Sequence, residues 1–415
     1  MVVLIIGGGG REHTIAWKLK NEDKTLNIIS IPGNGGMRGL SECVSLDIGN
    51  REALLRFALD NKVDYTIVGP EAPLAIGITD LFREKGLKIF GPDKEGAKLE
   101  SSKIFAKNFM KKYNIKTSDF QVIDNYNMGY EVLQKSNFPI VLKYDGLAAG
   151  KGVKVAEDLE SALDFLKKVY KDLVFGKDNS KVIIEEYLKG IELSYLIFTD
   201  TKGYAPMVPA RDYKRVFDGN QGPNTGGMGC FSSDSLINEP LEEEIKNSLV
   251  IPTIEGLKQE NIDYRGVLYF GLMLTEKGLY VLEYNVRFGD PETQVILPRM
   301  DSSLMDVIDG VINQRISDVD IKWSKKDSIC VIMASEGYPG DYKKGRIITG
   351  LNLVKNAFVF HAGTDVKDGK LITSGGRVLG VTALDDTIDK ARESAYKVVS
   401  TISFEGNHFR KDIGL

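Results

Sequence analysis

Val2-Val-Leu-Ile-Ile-Gly-Gly-Gly-Gly-Arg-Glu-His13 opens the chain. An apolar run of strand length breaks into four glycines, and residues 11–20 then carry Ile15, Ala16 and Leu19 at helical spacing. Strand, glycine turn and helix are the first unit of an α/β fold. Working outward, residues 26–31, 63–68 and 87–90 read as further apolar strands, with a helix over 74–84 between the last two. Strands alternating with helices predict a parallel sheet with helices on its faces. The N-terminal part is therefore expected to be a Rossmann-like domain ending near Gly91-Pro92.

Beyond it, residues 93–113 read as one helix rich in Lys and Glu, and then the pattern changes. Strands are expected at 139–143, 153–156 and 182–186, with a helix over 159–170. Hairpins follow: 193–199 with 204–208, and 267–274 with 279–284, the latter joined by Thr275-Glu-Lys-Gly278. This antiparallel stretch predicts an α+β body. After Trp323 a third unit begins, with strands at 328–335, 357–362 and 377–383 and a helix over 387–403. The expected class is α/β and α+β multidomain.

The 415 residues carry 54 Lys and Arg against 58 Asp and Glu, a formal charge of −4. That balance excludes the basic footprint of a general nucleic-acid binder but leaves room for a local basic pocket. No apolar run approaches the ~18 residues of a membrane span. The apolar opening is too short for a signal peptide and has no basic segment before it. Cys43, Cys230 and Cys330 lie too far apart for a disulfide framework or a zinc ribbon, so a cytoplasmic home is expected. Glycine numbers 43, above the usual ~7%, and it clusters.

The cluster Gly7–Gly10 would let backbone N–H groups meet an anion at a helix N-terminus. It is not a dinucleotide fingerprint, because the third glycine position falls on Glu12 or His13 and no acidic residue ends the second strand. A plain tight turn is the alternative. Pro32-Gly33-Asn34-Gly35-Gly36 and Gly69-Pro70-Glu71 follow other strands of the same sheet, and three such turns at one carboxyl edge favour a shared small-molecule pocket. In Gly146-Leu-Ala-Ala-Gly150-Lys151-Gly152 the spacing is one short of a Walker loop, and Gly152 replaces its Ser/Thr. A glycine hairpin can still cover a triphosphate, with Lys151 and Lys143 adding positive potential; a solvated surface hairpin is the bland reading. Glu185 ends a strand and Glu192 follows a turn, where carboxylates can meet a nucleoside. Glu283 and Asn285, at i and i+2, place two oxygen donors on one face of a strand, suited to magnesium. Because residues 279–282 are apolar, this pair emerges from a buried strand.

Asn285-Val-Arg-Phe-Gly-Asp-Pro-Glu292 resembles the signature of the phosphoribosylamine–glycine ligases, or glycinamide ribonucleotide synthetases, of the ATP-grasp superfamily. Gly8-Gly-Gly-Arg-Glu-His13, Pro32-Gly-Asn-Gly-Gly36, Gly69-Pro-Glu-Ala-Pro-Leu74, Lys143-Tyr-Asp-Gly-Leu-Ala-Ala-Gly-Lys-Gly152, Glu185-Glu-Tyr-Leu188 and Asn224-Thr-Gly-Gly-Met-Gly229 occur in that family's order. The resemblance runs on to Phe409-Arg-Lys-Asp-Ile413 and leaves no room for a fused second enzyme, so a monofunctional chain is expected.

That resemblance implies a Rossmann-like N-terminal domain (1–100), an ATP-grasp body (101–322) with a mobile lid over roughly 120–190, and a small β-rich C-terminal domain (323–415). It implies ligation of glycine to 5-phosphoribosylamine through glycyl phosphate, with ATP as co-substrate and Mg2+ or Mn2+ as metal. Lys103, Lys143, Gly146, Gly150, Lys151, Glu185, Leu188 and Glu192 match ATP positions; Glu283 and Asn285 match metal ligands. The apolar stretch 268–274 lacks the further acidic ligand of many relatives, so the metal count stays open. Arg287, Lys143 and Asp212 are the expected catalytic set, with Asp212 suited to the glycine ammonium. Gly8, Gly9, Gly10, Gly33, Asn34, Glu71, Lys214, Asn224, Gly226 and Asp290 are expected around the substrates. His13 could serve the site or cap its helix; His361 and His408 read as structural. No nucleic-acid or membrane partner is expected, and a monomer is, with a dimer as the alternative. Another ATP-grasp ligase, or a non-catalytic sugar-phosphate binder, are the competing functions.

Overall fold

The computed structural model describes residues 1–148, 152–176 and 180–415. Its first sheet is parallel, in the order Glu42–Cys43, Asn27–Pro32, Val2–Gly7, Tyr65–Val68, Ile89–Phe90. Val3 to Ile6 are fully buried because helices cover both faces, which is why this strand reads as a continuous apolar run. Strand order reverses on either side of Val2–Gly7, and the turns after the three central strands therefore open into one crevice at the carboxyl edge.

Two expected helices are each broken in two. Residues 74–84 give way to Glu71–Ala75 and Ile78–Glu84, parted by Gly77 at φ +81°. Residues 93–113 become Lys94–Ser101 and Lys103–Lys112, because Ser102 is extended and its Oγ accepts the Phe105 N–H at 3.1 Å as an N-cap. Helix Arg51–Asp60 was not foreseen; only Leu54 and Ala58 on it are fully buried, too narrow a stripe to announce itself.

A small antiparallel sheet follows, ordered Phe120–Ile123, Val182–Glu186, Ile140–Tyr144, Val153–Ala156. Helices Tyr126–Leu133 and Leu159–Tyr170 enclose with it a separate core that includes Ile123, Leu142, Leu166 and Val182. The first strand and first helix of this unit were missed. The strand is half exposed, and the helix contains Gly129, where a Cβ would lie 2.5 Å from Leu166 Cδ1. The central sheet runs Tyr204–Pro206, Ile191–Thr199, Gly266–Thr275, Gly278–Asn285. Its buried face continues the N-terminal core, so Leu4 and Ile6 belong to one cluster with Leu268, Phe270 and Tyr284.

The last sheet is ordered Arg211–Asp212, Gly229–Ser232, Asp327–Ser335, Arg377–Asp385, Phe358–His361, with helix Ile388–Val399 packed on it. Two of its strands come from the central part of the chain, and this ties the strand that carries Asp212 into the sheet whose Arg377–Asp385 strand carries Arg377. The architecture is multidomain, α/β followed by α+β.

Candidate active site

Glu185 is the hub of the first group. It is buried on the small sheet, and its Oε2 faces Lys143 Nζ at 3.0 Å and Lys107 Nζ at 3.2 Å, and accepts the Ser118 hydroxyl at 2.8 Å. Burial alone would push this carboxyl up; the two ammonium groups and the hydroxyl outweigh it and hold it below the ordinary range. Glu185 Oε1 is buried without a hydrogen-bond partner among the described residues. Lys143 also donates to Leu282 O at 3.1 Å, tying the small sheet to the strand that carries Glu283. Burial lowers Lys107 to about 8, with Glu185 opposing the fall. Lys103, the first residue of its helix, donates to Glu100 O at 3.1 Å. The Asp145 carboxylate accepts the Ser102 hydroxyl at 3.0 Å and the Ile104 N–H at 3.1 Å, fixing the start of the glycine hairpin against that same helix end.

Glu283 lies opposite Gly271, where a Cβ would approach its Cγ at 3.3 Å. Its carboxylate forms no hydrogen bond or ion pair within the described residues. Burial opposes its ionisation, yet the charges of Lys103, Lys214, Lys143 and Arg287 hold it at about 2. A carboxylate without a protein partner, ringed by cations, beside an amide oxygen two residues on, is a hard-oxygen pair of the kind magnesium or manganese takes. Two such donors leave most of a metal's shell to phosphates and water, and no cluster of three or more His, Cys, Asp or Glu fit for a metal occurs among the described residues. Asn285 Oδ1 accepts Arg287 Nη2 at 3.1 Å. Arg287 pairs with buried Glu100 at 2.8 Å and Glu71 at 3.4 Å; burial would lower its pKa, but these two carboxylates raise it. Glu100 also accepts the Val286 N–H at 2.7 Å, so the signature loop is seated on a carboxylate that the sequence reading missed.

At the sheet edge Gly8 is required by backbone contact, while Gly10 packs against a side-chain end. A Cβ on Gly8 would stand 2.3 Å from Gly33 O, and one on Gly10 2.5 Å from Gln294 Nε2. Gly9 N donates to Glu12 Oε2 at 2.6 Å, closing the helix start. Asp290 sits beside these glycines, accepting Gln294 Nε2 at 2.8 Å and facing Arg377 at 3.3 Å. Arg377 also donates to Gly226 O at 2.7 Å and Asp290 O at 2.8 Å, joining the C-terminal sheet to two expected substrate loops. Asn34 is committed to protein. Its amide donates to Gly8 O at 3.0 Å and His361 O at 2.7 Å, while its oxygen accepts the Gly36 and Met37 N–H groups, both at 3.0 Å. All four of its capacities are used, so it shapes the loop and offers no side-chain hydrogen bond to a ligand. His13 Nδ1 accepts the His361 N–H at 2.8 Å, a structural role for both histidines.

A small cavity is lined by Glu192, Ser194, Asp212, Lys214, Tyr269 and Gly271, among others. Lys214 pairs with Glu192 at 2.9 Å. Asp212 Oδ1 is buried without a hydrogen-bond partner among the described residues, and burial, with neighbouring Glu292, raises its pKa well above the carboxylate range against the pull of Lys214 and Arg377. Glu292 is itself held by Tyr269 at 2.8 Å and Ser194 at 3.1 Å. Gly227, at φ +112°, leaves space a Cβ would fill 2.7 Å from Asp212 Oδ1.

The expected residues thus gather into three adjoining groups. Asn224 ends the hairpin strand that leads into the Gly226 loop, Gly146 adopts φ +157° after the Lys143 strand, and Leu188 is half-buried past Glu186. Gly150 and Lys151 lie outside the described residues. Lys107, Glu100, Glu292 and Arg377 were not singled out. Lys107 had a signal: it falls beside Ala106, Phe109 and Met110 on the apolar face of its helix.

The family model of the phosphoribosylglycinamide synthetase N domain matches residues 1–100, that of its ATP-grasp (A) domain 101–293, and that of its C domain 328–415. The phosphoribosylamine–glycine ligase of Caldanaerobacter subterraneus subsp. tengcongensis is 48% identical over 100% of this chain and 99% of its own. That of Clostridium acetobutylicum is 46% identical at the same coverage. The crystal structure of the Thermotoga maritima phosphoribosylamine–glycine ligase superposes with a TM-score of 0.86 at 34% identity, covering 99% of this chain and all of that one. A biotin carboxylase domain from Hydrogenobacter thermophilus, solved with MgADP and bicarbonate, shares the fold at a TM-score of 0.73 and 16% identity, covering 98% of this chain and 91% of that one.

Proposed function

This chain belongs to the phosphoribosylglycinamide synthetase family and is an ATP-dependent ligase joining glycine to 5-phosphoribosylamine in purine biosynthesis, and on that premise we propose how its residues divide the work. The glycine carboxylate attacks the γ-phosphorus of ATP, giving glycyl phosphate and ADP. The amine of 5-phosphoribosylamine then attacks the acyl carbon, the C–O bond to phosphate breaks, and the attacking nitrogen loses a proton. Such phosphoryl transfer is mainly positioning and electrostatic stabilisation.

Lys103 and Lys143 hold the phosphates, with Gly146, Gly150 and Lys151 covering them from the lid. Glu185 and Leu188 meet the adenine and Glu192 the ribose. Glu283 and Asn285 would hold a divalent ion, Mg2+ or Mn2+, which when bound draws charge from the phosphate oxygens. Arg287, fixed by Glu100 and Glu71, adds positive charge at the transferring phosphate. Asp212 faces the cavity with Oδ1 unpaired among the described residues, and the ammonium of glycine is the cation that would draw its buried carboxyl into the charged form; Lys214 lines the same cavity, and Asn224 and Gly226 serve the substrate from the adjoining loop. Gly8, Gly9, Gly10, Gly33 and Asp290, with Asn34 holding their loop, frame the ribose phosphate. Residues 1–100, 101–322 and 323–415 act as domains, and the unit over roughly 120–190 closes as a lid that excludes water from the acyl phosphate. No helix among the described residues is long and apolar enough to cross a membrane, and we place the enzyme in the cytoplasm.

The feature that carries this division is the placement of Glu283, whose carboxylate has no hydrogen-bond or ion-pair partner among the described residues, within the charges of Lys103, Lys143, Lys214 and Arg287. The test is ADP release with ATP, magnesium, glycine and freshly made 5-phosphoribosylamine, omitting each in turn. Release that persists unchanged without glycine would overturn the glycyl phosphate route.

A further inference from the structure

Lys107 has no part in the reaction as set out above, although it is only 2% exposed. Helix Lys103–Lys112 places it one turn after Lys103. Its ammonium donates to Thr117 Oγ1 at 2.8 Å, Ser118 Oγ at 2.7 Å and Ser118 O at 3.4 Å, and it also faces Glu185 Oε2 at 3.2 Å. Lys143 reaches the same oxygen at 3.0 Å and, among the described residues, has one other hydrogen-bond partner, Leu282 O at 3.1 Å. Two ammonium groups therefore share one buried carboxylate oxygen. Lys107 is anchored by neutral oxygens of its own segment, whereas Lys143 comes from the small sheet and is the less constrained of the two.

The physical consequence concerns what happens when a triphosphate arrives. If Lys143 moved to the phosphates with no second cation present, Glu185 would be left as a bare carboxylate in a buried place, a costly state that would hold Lys143 back. With Lys107 in place the carboxylate keeps a counter-ion throughout, and mutual repulsion of the two ammonium groups favours the departure. We infer that Lys107 is a positioning residue for ATP: it is the standing counter-ion of Glu185 that releases Lys143 to the nucleotide's phosphates. This rests on the reading that Lys143 binds those phosphates.

The test is steady-state kinetics with ATP varied. Lys107→Met is expected to raise KM for ATP about tenfold or more while kcat at saturating ATP stays within about threefold. Lys107→Arg, which keeps the charge, is expected to restore KM to within about threefold of the native value. In a Glu185→Gln background there is no carboxylate to neutralise, so adding Lys107→Met should raise KM by less than about twofold more. A mere packing role would give the same rise in both backgrounds, and that result overturns the inference, as does a native KM in Lys107→Met. Should the methionine variant not fold, Lys107→Gln keeps hydrogen-bonding capacity without charge and carries the same expectations. Lys143→Ala separates the two levels. A raised KM there with Lys107→Met unchanged sinks the counter-ion role alone; an unchanged KM in Lys143→Ala sinks the phosphate role as well.

Discussion

Glu283 shows how one side chain's chemistry follows from what does not touch it. Its carboxylate pairs with nothing in the described protein, yet surrounding cations keep it ionised down to about pH 2. Glu283→Gln keeps the shape and removes the charge that would bind a metal. Turnover should fall by about 100-fold or more, with the far-ultraviolet circular dichroism unchanged. Near-native turnover would remove the metal assignment. Glu283 and Asn285 were legible in sequence because two polar side chains interrupt an otherwise apolar strand. Asp212 was legible as a carboxylate but not as an orphan, since the cavity around it forms only when strands from different sheets meet. Arg377 was hidden for the same reason: it is 87 positions from the Asp290 carbonyl it clamps. Lys107 carried a faint signal, its place beside Ala106, Phe109 and Met110, but a lysine in a Lys-rich helix reads as solvated unless that face is known to be buried.

At the level of elements, the break at Ser102 matters more than the helices on either side. A continuous helix over 93–113 would bury the first N–H groups of the second half in its own ladder. The extended Ser102 instead creates a fresh N-terminus at Lys103, where Asp145 from the start of the glycine hairpin accepts the Ile104 N–H. The Ser102 hydroxyl serves both sides, accepting from Phe105 N and donating to Asp145. Ser102→Ala removes both bonds and should cost about 1 kcal/mol locally. Amide hydrogen exchange in the first turn of helix Lys103–Lys112 should quicken about fivefold, while exchange in strand Val2–Gly7 is unaffected. An unchanged first turn would show that the cap is not what holds this junction. Hydrophobic periodicity could not reveal the break, since Leu99, Ala106, Phe109 and Met110 keep helical spacing across it. The longer strands of the first sheet were read more faithfully, because apolar runs ending near glycine leave little choice of period.

Across the whole molecule, the N-terminal and C-terminal parts are stitched by a buried polar knot: Asn34 to His361 O, and His361 N–H to His13 Nδ1. Burial, reinforced by the charge of neighbouring His361, lowers His13 to about 3, and burial lowers His361 to about 4. Protonating His13 Nδ1 would also abolish the acceptor that His361 N–H uses. In the unfolded chain both rings titrate near the ordinary 6.5, so above that pH both states are neutral and the knot contributes in full. As pH falls below 6.5 the unfolded state binds protons that the folded state refuses, and stability drops until the folded values near 3 to 4 are reached. The slope approaches about 1.4 kcal/mol per pH unit for each histidine. Urea midpoints measured between pH 7 and pH 5 should therefore fall with acidification, in a window above most carboxylate titrations. His361→Gln removes one titrating ring while keeping the backbone N–H, and should roughly halve that slope. If the variant and native proteins lose stability in parallel, the knot is protonated without penalty and the acid sensitivity of the assembled domains arises elsewhere.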